Sequence, residues 1–173
     1  DRLERQMAYV SRCPKVDILG GWALECDADG EVQRTREFPT DHEDIVRLVW
    51  TCPIQHTTVL LKREAIQRAG SYNPNLRRRQ DYDLWFRCVD AGLRFRNLAK
   101  PLIYYRITDA YYENNDISVA LSQVAIGWRG CKRLGAPLRA YIGVVAPLVR
   151  ALLPKSAAKG VQKFIQKWNP RSQ

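Results

Sequence analysis

The charges of this chain are sorted into two blocks, and that sorting limits what it can fold into more than any single motif does. Residues 1 to 116 carry 18 Lys and Arg against 18 Asp and Glu. Beyond Asp116 there are ten basic residues (Arg129, Lys132, Arg133, Arg139, Arg150, Lys155, Lys159, Lys163, Lys167 and Arg171) and no acid. A neutral block can close on itself as a globular unit. An acid-free block has no counter-charges of its own and must find them elsewhere. With 173 residues, 46% of them apolar, the chain is long enough for one globular domain with an appendage. The expected division is therefore a folded α/β part over 1–110 and a basic helical tail over 111–173.

The neutral block reads as mixed helix and strand. Leu3, Met7 and Val10 recur at helical spacing, and that helix should end near Cys13-Pro14. Val16 to Cys26 is strand-like, Asp27-Ala28-Asp29-Gly30 is a turn, and Glu31 to Phe38 can return as the second arm of a hairpin. Thr40 and Glu43 have capping-box spacing ahead of a short helix carrying Ile45, Leu48 and Val49. A strand is expected over Ile54 to Leu61, a brief helix over Arg63 to Ala69 closed by Gly70, and a longer helix over Asp81 to Ala91 closed by Gly92. Two further strand segments, Leu93 to Leu98 and Leu102 to Ile107, should finish the folded part.

Five widely spaced cysteines (Cys13, Cys26, Cys52, Cys88, Cys131) with no CxxC pair argue against a disulfide framework and a zinc site, and fit a reducing cytosol. The longest uncharged apolar stretches, Ile117 to Trp128 and Ala140 to Val149, fall short of the roughly 20 residues a spanning helix needs. The opening residues already read as helix with no initiator Met, so the chain is expected to be part of a longer protein.

The segment Arg79-Gln80-Asp81-Tyr82-Asp83-Leu84-Trp85-Phe86-Arg87 holds the chemistry. A helix starting here puts Asp81 at its amino end, on one face with Trp85 and Cys88, while Asp83 and Arg87 can pair at i, i+4 on the other side. Asp81 is left without an intrahelical partner. It is either an N-terminal charge complementing the helix dipole or a working carboxylate at the edge of a cleft.

Gln80 to Arg87 resembles the [E/Q]-D-x-D-L-W-x-R segment of non-processive family 2 glycosyltransferases. Asp1-Arg2-Leu3-Glu4-Arg5-Gln6 resembles that family's P-D-R-L-x-x-Q helix, and Val16 to Gly20 its following strand. The likeness continues through Cys52-Pro53-Ile54-Gln55-His56, Gly70-Ser71-Tyr72, Asn97-Leu98 and Pro101-Leu102-Ile103-Tyr104-Tyr105-Arg106, in the family's order, over about residues 1 to 107. The resemblance implies a partial GT-A-type nucleotide-diphospho-sugar transferase domain. It makes Asp81 the base of an inverting transfer from a nucleotide-sugar to a glycan or lipid-linked acceptor, with Gln80, His56, Asp83 and Trp85 on the substrate side. Read by itself, a lone histidine such as His56 is more often a structural residue, and Trp85 reads as core with one edge toward sugar. The family's donor-binding strands and its metal-binding DxD would precede Asp1, so a divalent metal (Mg or Mn) is allowed for the whole protein without ligands in this chain. Asp27-Ala28-Asp29 spells DxD, but it lies in a turn and after the helix that should follow the real motif, so it is rejected as a metal site. Tyr105-Arg106 is followed by Ile107-Thr108, where many relatives carry a His, which puts metal dependence in question. No Q-x-x-R-W is present, so processive synthesis is not indicated. Arg77-Arg78-Arg79 either steers a diphosphate or is simply solvated.

The acid-free block reads as helices over 116–134, 138–153 and 157–168. In the last, Val161, Phe164, Ile165 and Trp168 form one stripe and Lys159, Lys163 and Lys167 another. That pattern suits the inner face of an anionic membrane, and equally a face packed on the core or on a second subunit. Nucleic acid is disfavoured, because the cations alternate with large apolar groups and no nucleic-acid motif is present. The competing function is a non-catalytic truncated module acting through these helices.

Overall fold

The computed structural model describes residues 1–108 and 117–152 as an α/β unit with a mixed four-stranded sheet. The elements are α1 (Arg2–Arg12), β1 (Ile18–Cys26), β2 (Val32–Arg36), α2 (His42–Arg47), β3 (Leu60–Leu61), α3 (Arg63–Arg68), α4 (Gln80–Asp90), β4 (Phe95–Arg106), α5 (Ile117–Arg133) and α6 (Leu138–Leu152), with single 3-10 turns at Val49–Thr51 and His56–Thr58.

β1 is the central strand, and its near-continuous apolar run is what burial on both faces requires. β4 runs parallel along one edge from Ile18 to Cys26. The other edge is shared: β3 pairs antiparallel at Ile18 and Leu19, and β2 pairs antiparallel from Ala23 to Cys26. The gap between them is bridged by a side chain. The fully buried Thr58 Oγ1 accepts from Gly21 N–H at 3.0 Å and lies 3.3 Å from Gly21 O, doing locally what a strand backbone would do. Thr58→Val keeps the shape and removes the acceptor, so it is expected to destabilise the fold by about 1–3 kcal/mol, the penalty for an orphaned buried donor, measurable by urea denaturation.

Two other buried polar side chains stitch distant segments together. Gln6, the one buried residue of α1, donates to Leu19 O and Thr58 O (3.2 and 2.8 Å), pinning the helix to the sheet. Asn97 on β4 donates to Pro39 O and Pro53 O (2.7 and 3.1 Å). It has room because its register partner is Gly20, where a Cβ would collide with the Asn97 amide.

The hairpin appears as expected. Asp27 Oδ1 accepts from Asp29 N–H and Glu31 N–H at 3.1 and 3.0 Å, so this carboxylate is occupied in building the turn. The buried Glu25 is neutralised by Arg34 and Arg36 on β2. Four expectations are corrected. The capping box at Thr40 does not form: α2 starts after Asp41, and Thr40 Oγ1 donates to Asp41 instead. The strand expected over Ile54 to Leu61 shrinks to Leu60–Leu61, because the 3-10 turn at His56–Thr58 takes up the preceding residues. The two segments after Gly92 are one strand, β4. It absorbs Pro101 through register irregularities opposite Gly21 to Ala23, at an edge of the described sheet where a missing N–H is tolerated.

The fourth correction concerns where folding stops. Ile126 and Cys131 of α5, and Ala140 and Val144 of α6, belong to the same hydrophobic core as Trp85, Phe95 and Ile18. The folded unit therefore continues well past residue 107, and for these two helices the inner faces pack on the core. The boundary expected at 110 lies outside the described residues, as do the third basic helix and Lys159, Lys163, Lys167 and Trp168. No described helix is long and apolar enough to cross a membrane.

His42 supplies a pH-dependent contact. Its Nδ1 accepts from Phe95 N–H at 3.3 Å, which requires the unprotonated ring, and burial, then the charge of Arg94, lower its pKa from 6.5 against the opposing effect of Glu43. A histidine with a depressed folded pKa stabilises fully above its unfolded value, and that stability is lost as pH falls below about 6.5. Thermal unfolding should show this decline. His42→Asn, whose Oδ1 can take the same bond without titrating, should flatten that part of the profile.

Candidate active site

α4 is apolar over more than one face. Tyr82, Leu84, Trp85, Phe86 and Cys88 are buried, as is required of a helix covered on two sides. The sheet lies on one side, where Trp85 meets Phe95 edge-on at 6.3 Å. The other side meets α5, where Gly127 and Gly130 leave space for Tyr82 and Phe86. The helix is thus fixed in place, and its amino end with it.

Asp81 stands in the first turn of α4, partly exposed. Cys52 Sγ approaches Asp81 Oδ2 at 3.9 Å. Burial raises the Tyr72 phenol pKa, and the nearby charge of Asp81 raises it further, so Tyr72 is held neutral. His56 Nε2 lies 2.9 Å from the Tyr72 hydroxyl, their rings meeting edge-on at 5.8 Å, and the same imidazole lies 6.1 Å from the Trp85 ring. His56 and Tyr72 are exposed, Asp81 and Cys52 partly so. The result is an open face with one carboxylate, a phenol and an imidazole.

The backbone around this cluster is strained. Among the described residues the non-glycine positions with positive φ are Cys52 (58°), Ser71 (53°) and Arg79 (61°). Cys52 touches Asp81, Ser71 precedes Tyr72, and Arg79 precedes the helix that carries Asp81. Left-handed backbone at ordinary residues is unfavourable by about 1–3 kcal/mol each, and it persists where surrounding structure enforces it, most often at functional sites.

The sequence-derived site residues separate into two groups. Asp81 and His56 are linked through Tyr72, whose hydroxyl meets His56 and whose phenol feels the charge of Asp81. Gln80 is exposed beside them and donates back to Leu76 O. Asp83 and Trp85 have structural contacts of their own. Asp83 Oδ2 is held by Arg87 at 2.9 Å, and Arg87 also donates to Ala69 O, so this pair fastens α4 to the end of α3. Trp85 is wholly buried and supports His56 from beneath, with its Nε1 lacking a hydrogen-bond partner. Tyr72 and Cys52 were not singled out from the sequence as site residues. The available sign for both was their place in segments that carry the family resemblance, Cys52 to His56 and Gly70 to Tyr72. A groove of about 160 Å³ under α1, lined by Met7, Val10, Leu60 and Leu61 among others, shares no residue with this cluster. Cys88 and Cys131 are buried thiols whose pKa values are pushed up to about 12 and about 11, so they are inert. Among the described residues no group of three or more His, Cys, Asp or Glu is placed to hold a metal ion.

No family model matches the chain. It is 27% identical over 164 residues to the "Putative glycosyltransferase EpsE" of Bacillus subtilis (strain 168), covering 94% of this chain and 58% of that protein. It is 29% identical over 175 residues to an "Uncharacterized glycosyltransferase" of Haemophilus influenzae, covering 96% and 63%. A third match, 30% identical over 107 residues, is to the "Amylovoran biosynthesis glycosyltransferase AmsE" of Erwinia amylovora, covering 61% and 40%. The chain thus spans 58% and 63% of the first two relatives. Matches over 94% and 96% of 173 residues reach well beyond residue 107, so those relatives align with most of the acid-free block too. The proteins to which this chain is similar over nearly its whole length are glycosyltransferases by name.

Proposed function

We propose that these residues form the acceptor-side part of an inverting, non-processive family 2 glycosyltransferase of the GT-A type. It would move a sugar from a nucleotide-sugar to a hydroxyl of a glycan or lipid-linked acceptor, in cell-surface polysaccharide synthesis at the inner face of the membrane. The observation that carries this reading is the convergence of three left-handed backbone positions on the one cluster that holds Asp81, Tyr72 and His56.

In the reaction Asp81 takes the proton of the acceptor hydroxyl as its oxygen attacks the anomeric carbon. The bond from that carbon to the diphosphate breaks, the electron pair leaves with the nucleotide, and attack from the opposite face inverts the centre. The carboxylate must be ionised to receive that proton. His56 and Tyr72 offer a hydrogen-bonding wall with aromatic edges, suited to orienting a sugar ring beside Asp81. The donor's nucleotide would be held by residues outside this chain, in line with the greater length of the relatives. A divalent ion, magnesium or manganese, would likewise depend on ligands from outside the described residues.

The test is a turnover screen of the full-length protein against a panel of nucleotide-sugars, reading nucleotide diphosphate release with and without glycan acceptors. Release with at least one donor is expected. A protein that binds no donor and releases nothing across the panel would favour the non-catalytic module instead.

A further inference from the structure

The two helices of the acid-free block present a second face that the core does not use. Ile117, Leu121 and Trp128 on α5, and Leu138, Ile142 and Val149 on α6, are 47% to 76% exposed. Each triplet is spaced i, i+4, i+11, which brings its members within about 40° of one another around the helix, so each is a single stripe. Trp128 rests edge-on against Tyr141 at 4.9 Å, bridging the two helices at this face. The core-facing sides are already occupied: Gly127, Gly130 and Cys131 on α5 and Ala140 and Val144 on α6 are buried. Large apolar groups exposed together in this way mark a surface that is covered in use.

Charge identifies the cover. From 117 to 152 the chain has five basic residues and no acid. Arg133 is paired with Asp90 of α4. Lys132 follows Trp128 by one helical turn on the same stripe, and Arg129 and Arg139 adjoin Trp128 and Leu138. A second copy of this face would set cations against cations around a dry centre, which disfavours self-association. An anionic bilayer offers the complement, with phosphates at the level of the cations and hydrocarbon beneath them.

We propose that the outer face of α5 and α6 binds the surface of an anionic membrane, with Trp128, Leu138 and Ile142 at the acyl boundary and Arg129, Lys132 and Arg139 among the phosphates. The proposal deepens the reading above and rests on it only for where the acceptor is met. Lipid binding is measured without any sugar transfer, so either can fail alone.

The experiment is co-sedimentation of the full-length protein with phosphatidylcholine vesicles, with or without phosphatidylglycerol. Binding is expected only with the anionic lipid and should weaken with salt. Ile142→Ser, at a position 68% exposed, should lower vesicle affinity at least about tenfold with unchanged melting temperature, and Trp128→Ser should lower it as much while also losing the packing on Tyr141. Lys132→Ala should lower it about fivefold. Leu121→Ser provides an independent check should either variant melt early. Equal binding to neutral vesicles, or undiminished binding by the serine variants, would overturn the proposal. So would loss of all binding on removing residues 153–173 alone. Lipid-free dimerisation abolished by the same serine variants would assign the face to a second copy instead.

Discussion

Asp81→Asn is expected to lower sugar transfer by the full-length protein about 10²- to 10⁴-fold, the usual worth of a positioned general base, while the melting temperature moves by no more than about 3 °C. The two halves of that expectation come from different features of the site. Asparagine keeps the size and planarity of the side chain and can still contact Cys52 Sγ, which lies at 3.9 Å in the native protein. What it loses is the negative charge in the first turn of α4, worth about 0.3–1 kcal/mol of dipole stabilisation at a partly exposed position. The chemistry has no such reserve. Among the cluster residues Cys52, His56, Tyr72 and Asp81, only Asp81 is a carboxylate, and the charge of Asp81 itself helps hold Tyr72 neutral. Donor binding measured by calorimetry should be unchanged, separating a lost base from a damaged fold. Turnover within about threefold of the native protein would remove Asp81 from the mechanism.

Gly130→Leu should produce the largest loss of stability: about 3 kcal/mol or more, or a melting temperature lower by about 6–12 °C. A Cβ at this position would fall within the Phe86 ring, and one at Gly127 would come within 2.7 Å of both the Tyr82 hydroxyl and Val144. Neither neighbour has room to yield. Phe86 is 3% exposed and packs edge-on against Tyr82 at 5.0 Å, and Tyr82 is tied through its hydroxyl to Trp50 O at 2.7 Å. The leucine must therefore lift α5 from α4 or expel Phe86, and either exposes apolar surface that now stabilises the fold. Ala125→Leu, on the exposed side of the same helix, should change stability by no more than about 0.5 kcal/mol. Phe86→Ala combined with Gly130→Leu should cost less than the sum of the two, since the smaller side chain reopens the space. A Gly130→Leu protein that melts like the native one would mean that α5 does not dock on α4.

These glycines show where the sequence stopped being legible. In isolation Gly127 and Gly130 look like weak points in a helix, and only the facing Tyr82 and Phe86 make them a socket. One sign was available. Tyr82 and Phe86 point away from the stripe of Asp81, Trp85 and Cys88, so the helix was too apolar for one covered face and needed a second layer. The hairpin at Asp27 to Gly30 and the closing glycines Gly70 and Gly92 were readable, because turn and cap chemistry is settled within a few residues. β4 was not, since only pairing along all of β1 explains how one strand runs through Pro101. The candidate site divides in the same way. Asp81 was visible as a first-turn carboxylate lacking a helical partner, and the Asp83 to Arg87 pair followed from spacing. That Arg87 also reaches Ala69, and so ties the Asp83 pair to the end of α3, depends on a contact 18 positions away.

The charge blocks with which the sequence opens have a similar history. By itself the sequence determined that one block is neutral and the other wholly cationic, that strands and helices alternate in the first, and that helices fill the second, because composition and local periodicity carry that information. Tertiary structure alone decided that the cationic helices at 117–133 and 138–152 belong to the folded core along one side and face outward along the other. Side-chain burial there depends on which distant residue supplies the opposing surface: Phe86 for Gly130, the Trp50 ring for Gly143. It also decided that Cys52, Tyr72 and His56 form one cluster with Asp81, at or near three left-handed backbone positions that no local rule places together.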